Sequence, residues 1–368
     1  MARHLPLTAL ATVDPVLRDS VVFGMVTDAP GTVVLRHDIV DDDGDGAIRR
    51  VVLDHTGVVE DVLVPLEHAC LSCAVREDAI PVLRDLASQG RWSALVLALP
   101  VSAESLPVAR ALGWAARRGG DLPDVRLASV VGAVDVETCE HDLLGDDLLD
   151  ERGLGLTEDD RRSVGEALAA QVGHVDVLVV AGERGAHPVG SDLLDHLRAN
   201  DAVRVDGLHE LDTAGLHRMR HDTRTAERRL DPVHAAPVQH APTGNGVWSL
   251  DLRSPRPMHP ERLLERIEDL GSGRLRSRGV FWVPDRPHSA CVWDGAGGQL
   301  SIGELGPWRR RDPFTRLVYT GCGDEAPALR ETFDSVILSD AEDARGLAPW
   351  LGAEDALAPW LGERSGAW

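Results

Sequence analysis

With 368 residues, a hydrophobic fraction of 43% and a formal net charge of -22, the chain is long enough for two globular domains, and its surface is too acidic for direct binding of DNA or of anionic membranes. All 38 basic residues are arginine, which excludes any chemistry that needs a lysine. Five cysteines are too few for a disulfide scaffold at this length and fit a reducing compartment.

The first fifteen residues, MARHLPLTALATVDP, lack the apolar core of a signal peptide, because Thr8, Thr12 and Asp14 interrupt it. No stretch reaches the roughly 18 apolar residues of a membrane span. A soluble, cytoplasmic protein is expected. Strands are predicted at Leu5–Ala11, Gly31–Arg36, Arg49–Asp54, Ser93–Leu99, Arg126–Val136 and Val175–Val180. Helices are predicted at Pro15–Val26, Val75–Gln89, Leu106–Arg118, Glu158–Gly173 and Ser191–Asn200. The near-continuous apolar runs ALVLALP and VDVLVVA suit a parallel sheet covered on both faces, so residues 1–205 read as a doubly wound α/β domain.

Residues 206–245 change character. They carry His209, His217, His221, His234 and His240 without a sustained period. This reads as a mostly irregular linker with a short helix near His217. Arg218, Arg220 and Arg224 among the histidines favour a solvated linker over a metal reservoir. Residues 246–346 resume as a small α+β domain with an antiparallel sheet. Its helix starts at Pro260, and Gly-rich turns separate its strands. In the tail, 347–368, LAPWLG occurs twice, at Leu347–Gly352 and Leu357–Gly362, and reads as two packing anchors or a partner-docking peptide.

Three charged or polar clusters read as structure. The run Asp41-Asp42-Asp43-Gly44-Asp45 lacks the distal bidentate Glu of a calcium loop and reads as an exposed turn. Arg309, Arg310 and Arg311 read as a solvated turn after Trp308. Cys139 and His141 form a small pair that reads as incidental.

The chemically distinct segment is EHACLSCAVREDAIPVLRDLA, Glu67–Ala87. Cys70 and Cys73 lie three apart at the start of a predicted helix, where the helix N-terminus stabilises thiolates. Two such thiolates chelate a soft or borderline cation, and Zn²⁺ is the expected ion. Two sulfurs leave a tetrahedral ion incomplete. His68 and Glu67 are the local candidates for the remaining places, and His37 is within reach. Redox exchange and simple packing remain alternative readings of the pair.

This segment resembles the Gly-Cys-x-Cys-Cys-x-x-Arg-x-Asp loop of the CobW-type family of P-loop GTPases and metallochaperones, with Ser72 in place of the middle cysteine. DERGLGLTEDDRRSVGEALAAQVGHVDVLVV, RPMHPERLLERI, RSRGVFWVP and RLVYTG follow in the family's order, so the resemblance covers nearly the whole chain. It implies a P-loop NTPase-like domain over 1–205 and a CobW C-terminal-like domain over 246–346.

The nucleotide motifs depart from that family. A P-loop needs glycines to cradle phosphates, a Lys, and a Ser/Thr for Mg²⁺. Here Thr12–Ser20 reads TVDPVLRDS. Asp14 brings negative charge, Pro15 lacks an N–H, Arg18 stands for the Lys, Asp19 for the Mg²⁺-binding Thr, and only Ser20 keeps a hydroxyl. The base-recognition Asn-Lys-x-Asp is replaced by Ala181-Gly182-Glu183-Arg184, and the acid expected after strand SALVLALP is absent. GTP and Mg²⁺ are therefore not expected as cofactors, and no catalytic residue is assigned.

CLSC, DERGLGLTEDDRR and RPMHPERL resemble the actinobacterial branch of ribosome-hibernation recruitment factors. That resemblance implies a zinc-responsive scaffold that brings a hibernation-promoting factor to the 70S ribosome. The alternative is a GTP-binding zinc metallochaperone.

Overall fold

The structure is a computed structural model and describes residues 4–42, 45–65, 70–236, 240–350 and 352–363. These fall into two compact units, 1–139 with 147–230, and 140–146 with 231–368.

The first unit is built on an eight-stranded sheet in the order β4-β3-β2-β5-β1-β6-β7-β8. Its strands are β1 Leu5–Ala11, β2 Thr32–Asp42, β3 Asp45–Asp54, β4 Gly57–Pro65, β5 Ala94–Ala98, β6 Val125–Asp135, β7 Val177–Ala181 and β8 Val203–Asp206. The six strands from β2 through β8 pair in parallel. β5 is buried along its whole length, as its unbroken apolar sequence requires. The doubly wound expectation holds for this part.

The antiparallel arm β2-β3-β4 was not foreseen. β2 runs on to Asp42 and pairs with β3 as far as Asp42 opposite Asp45; Asp43 and Gly44 of the acidic run lie outside the described residues. Asp54 Oδ1 accepts from the Thr56 amide at 2.7 Å, and Gly57 supplies φ +124° for the turn into β4. β4 escapes detection because neither face is buried; Val58, Val59, Val62 and Leu63 are all exposed along this sheet edge.

Helices α1 Pro15–Asp28, α2 Leu71–Cys73, α3 Ile80–Ser88, α4 Ser105–Ala115, α5 Val136–Leu144, α6 Val164–His174 and α7 Pro188–Leu197 precede β8 in the chain, α5 belonging to the second unit from Glu140 on. Between α2 and α3 the chain takes a π-helical turn, Ala74–Ala79. The helix expected from Glu158 starts six residues later, because Ser163 and Glu166 form a reciprocal capping box that fixes its N-terminus. Apolar residues of α1, β1, β2, β5, β6 and β7 form one core cluster that includes Leu10, Val21, Met25, Val34, Val96, Val131 and Val179.

The stretch expected to be mostly irregular carries α8 Thr213–Arg218 and α9 Thr223–Leu230, both in the first unit. His221 lies beyond the end of α8, so it shares no helix face with His217. Its side chain is buried, and Nδ1 contacts Asp176 Oδ2 at 2.7 Å. Asp176 Oδ1 in turn meets Arg229 Nη1 at 3.1 Å, which ties α9 to the end of α6.

The second unit holds a five-stranded antiparallel sheet, β12-β11-β10-β13-β9. Its strands are β9 Val247–Ser254, β10 Leu275–Phe281, β11 Ser289–Ala296, β12 Gln299–Pro307 and β13 Thr315–Cys322, with α10 Pro260–Gly271 and α11 Ala326–Val336. Trp248, Met258, Phe281, Trp293, Tyr319 and Phe333 share one core. Leu357 and Leu361 of the second LAPWLG copy enter that core. Asp355 pairs with buried Arg286, whose guanidinium also donates to the Gly362 carbonyl. In the first copy Trp350 stands edge-on to His259, with centroids 5.1 Å apart. Arg309–Arg311 are exposed in a turn closed by Arg311 N donating to Trp308 O at 3.2 Å.

His174, at the end of α6, is fully buried. Its Nδ1 lies 2.8 Å from Ser105 Oγ, and its ring stands edge-on to His221 at 6.0 Å. Burial, helped by the positive charge of His221, pushes its pKa from 6.5 down to about 3. The unfolded chain therefore takes up this proton first. The stability contribution of neutral His174 is complete above pH 6.5 and declines as pH falls toward 3, by at most about 1.4 kcal/mol per pH unit. Urea unfolding across pH 7 to 4.5 should show the midpoint falling, and His174→Gln should flatten that slope; identical slopes would contradict the assignment.

Candidate functional site

In a doubly wound sheet, ligands sit beyond the carboxyl ends of the strands, beside the point where strand order reverses. Here that point lies at β1, between β5 and β6. The loop Thr12–Asp14 leaves β1 there and opens α1.

The Thr12 hydroxyl and the Asp14 carboxylate of this loop bond within the chain. Thr12 Oγ1 donates to Ala133 O at 2.7 Å and accepts from the Asp14 amide at 3.1 Å. Asp14 is the N-cap of α1: its Oδ1 accepts from Val16 N at 2.7 Å and from Leu17 N at 3.0 Å. A helix N-terminus offers its free amides to an anion, and here the anion is the chain's own carboxylate. Pro15 at the first helical position costs nothing, because its missing N–H would have been unpaired. Asp-Pro was thus a legible helix start. Ser20 Oγ donates back to Val16 O at 2.8 Å.

Arg18 points inward. Its side chain is 5% exposed, and Nη1 meets Asp38 Oδ1 at 2.6 Å, Leu99 O at 3.1 Å and His37 O at 3.4 Å. It therefore bridges α1, β2 and the end of β5. Asp19 is turned outward to Arg36, 3.0 Å away. Asp38 went unnoticed at the sequence level; its only signal was an acid on the strand after α1. At the position of the base-recognition motif, Ala181 ends β7, Gly182 takes φ +87°, and Arg184 pairs with Asp195 at 3.2 Å.

Cys70 is the N-cap of α2, and its Sγ accepts from Cys73 N at 3.4 Å. Cys73 is buried, with Arg76 Nη2 donating to its sulfur at 3.9 Å. Burial opposes ionisation of Cys70, but the Cys73 and Ser72 amides and the Cys73 thiol hold its pKa below the usual thiol value. Cys73 moves the other way. The hydrogen bond to Cys70, then burial, then the negative charges of Cys70 and Glu77 push it up to about 11. One sulfur is ready to ionise and the other keeps its proton until a cation arrives.

Glu67 and His68 lie outside the described residues. His37 is committed elsewhere: its buried Nε2 faces Asp78 Oδ2 at 2.8 Å, and Arg50 holds the other Asp78 oxygen. Burial opposes this charge, yet His37 and Arg50 keep the Asp78 pKa below the usual carboxylate range. Cys139 is also elsewhere, donating to Gly190 O at 3.6 Å on α7. Among the described residues no group of three or more His, Cys, Asp or Glu is placed to hold a metal ion. Cys70 and Cys73 thus supply two of the four donors a tetrahedral zinc takes, and the fit is that of half a site.

Two substitutions test the closed loop. Asp14→Ala should lower the unfolding free energy by about 1 kcal/mol, the usual value of an N-cap. Asp38→Asn should cost about 2 kcal/mol, less than a fully buried pair because Asp38 is a quarter exposed. Chemical denaturation measures both, and an Asp38→Asn protein as stable as the parent would show that the pair contributes nothing.

Residues 247–337 match the cobalamin synthesis protein cobW C-terminal domain. A zinc chaperone of Mycobacterium tuberculosis is 27% identical over 311 residues, spanning 81% of this chain and 73% of that protein. The zinc-regulated GTPase metalloprotein activator 1 of Dictyostelium discoideum is 25% identical over 268 residues, spanning 67% of this chain and 55% of that protein. Among solved structures, the Zn(II)-bound YjiA GTPase from E. coli aligns over 90% of this chain and 99% of its own, at 14% identity and a TM-score of 0.38. The family match is thus confined to residues 247–337, and the two relatives are similar to this chain over 81% and 67% of its length.

Proposed function

We propose that this chain is a zinc-handling protein of the CobW type that works without GTP. The observation that carries this reading is the self-capped helix after β1. The Asp14 carboxylate takes the α1 amides at 2.7 and 3.0 Å, so a phosphate would have to displace a like charge. The cation that a phosphate loop offers as Lys is here Arg18, drawn 5% exposed into an ion pair with Asp38. Zinc is held through Cys70 and Cys73, with Glu67 and His68 as the proposed further donors. When bound it supplies a rigid link between the loop and α2. The relatives named for zinc support this half of the reading.

On this reading the protein is a scaffold in the cytoplasm: in zinc limitation it brings a ribosome hibernation-promoting factor to the 70S ribosome. The net charge of -22 complements a basic partner. A second reading, a GTP-binding zinc metallochaperone, is favoured by the full set of parallel strands around β1 and by the relative named as a zinc-regulated GTPase.

Calorimetry separates the two. GTP with Mg²⁺ should give no saturable heat at micromolar protein, and micromolar binding would sink the nucleotide-free reading. Native mass spectrometry should find one Zn²⁺ on the parent chain and none on Cys70→Ser; retention by the variant would remove the pair from the site. Co-sedimentation with 70S ribosomes in zinc-depleted cells should depend on Cys70 and Cys73, and its absence in every zinc regime would point back to metal delivery.

A further inference from the structure

At the edge of the first sheet opposite Thr12 and Asp14, where β1, β5 and β6 begin, lies a cavity of about 560 Å³. His4, Pro6, Arg126, Ala214, His217 and Arg218 line it. Its size falls in the range of small-molecule pockets, roughly 300–1,000 Å³. Pro6 and Ala214 give it an apolar wall.

Its polar lining carries two arginines and two histidines and, among the lining residues, no carboxylate. Arg126 is half-buried on β6, and its two terminal nitrogens donate to the carbonyls of Met219 and His217. Among the described residues no carboxylate meets its guanidinium. A guanidinium has five N–H donors, so three are left after those two carbonyls. Burial, and then the positive charge of Arg220, lower the pKa of Arg126. His217, on α8, is likewise half-buried; its Nε2 has no hydrogen-bond partner, and burial and then the charge of Arg126 lower its pKa, so it enters as a neutral donor or acceptor. Arg218 reaches the exposed Asp212, at 3.1 Å. A half-buried cation without a counter-charge is costly unless an anion completes it. In a chain of net charge -22, this concentration of arginine and histidine around one cavity runs against the rest of the surface.

We propose that this cavity binds a small phosphate monoester, with its phosphoryl group on Arg126 and His217 and its organic body against Pro6 and Ala214. A dianion with several acceptor oxygens matches two arginines and a histidine better than a carboxylate does, and guanidinium donors suit phosphate geometry. The site is remote from Cys70 and from the β1 loop and does not depend on the reading of either.

Calorimetry on the full chain with phenyl phosphate as the probe tests it, with benzoate and inorganic phosphate compared at equal ionic strength. Saturable binding of phenyl phosphate is expected. Arg126→Gln should raise the Kd at least tenfold. Ala214→Trp, which fills the cavity and leaves the Arg126 contacts alone, should abolish binding. Asp14→Ala should leave it unchanged, which separates this site from the β1 loop. Should Ala214→Trp fail to fold, His217→Leu serves in its place, with a tenfold loss expected. No saturable heat, or binding that survives Ala214→Trp in a protein that melts like the parent, would overturn the proposal. Tighter binding of benzoate than of phenyl phosphate would overturn the assignment to phosphate, and equal binding of inorganic phosphate would overturn the role given to the organic body.

Discussion

The contact between Arg18 and Asp38 organises the working end of the first unit. A guanidinium 5% exposed needs acceptors, and its Nη1 finds the Asp38 carboxylate and the His37 and Leu99 carbonyls, while the buried Nε has no hydrogen-bond partner. Those groups belong to β2 and to the residue after β5, while Arg18 itself belongs to α1. One side chain therefore closes the crevice that a doubly wound sheet leaves open beside its central strand. Asp14 closes the same crevice from the side of the loop. The two charges do not compensate each other; each is satisfied separately, by helix amides in one case and by an ion pair in the other.

Beside this closed crevice, the cysteine pair is chemically uneven. The amides of the first turn favour ionisation at Cys70, while Cys73 donates toward it and keeps its proton. A metal that binds both must displace that proton, so uptake and release are tied to proton traffic.

Much of the fold was legible because its cues are local. The unbroken apolar run at β5 is a buried strand and the helix after Asp14 begins at Pro15 as expected, whereas the capping box Ser163-x-x-Glu166 was passed over for a start at Glu158. The arm β3-β4 was partly lost because β4 lies on an edge with both faces in solvent, where no alternation is imposed. After 206 the short helix expected near His217 is α8, but α9 was missed because its anchor is tertiary: His221 and Arg229 gain meaning only beside Asp176, some fifty residues earlier. At the candidate site the sequence revealed which residues depart from a phosphate loop but not what they do instead. The partner of Arg18 is twenty residues downstream, and the commitment of His37 to Asp78 depends on how the helix after Cys73 is wound.

That winding has a geometric consequence. A π-helical turn holds an extra residue compared with an α-helical one, and in an α-helix one residue is a rotation of about 100°. Asp78 lies inside the π-turn, and its place opposite His37 is set by that surplus residue. Were the turn to tighten to α-helical winding, Asp78 would swing off His37 and Arg50 together. The same His37 lends its carbonyl to Arg18. The helix that starts at the cysteines and the closed crevice thus meet at one residue, His37, whose ring faces Asp78 and whose carbonyl accepts from Arg18.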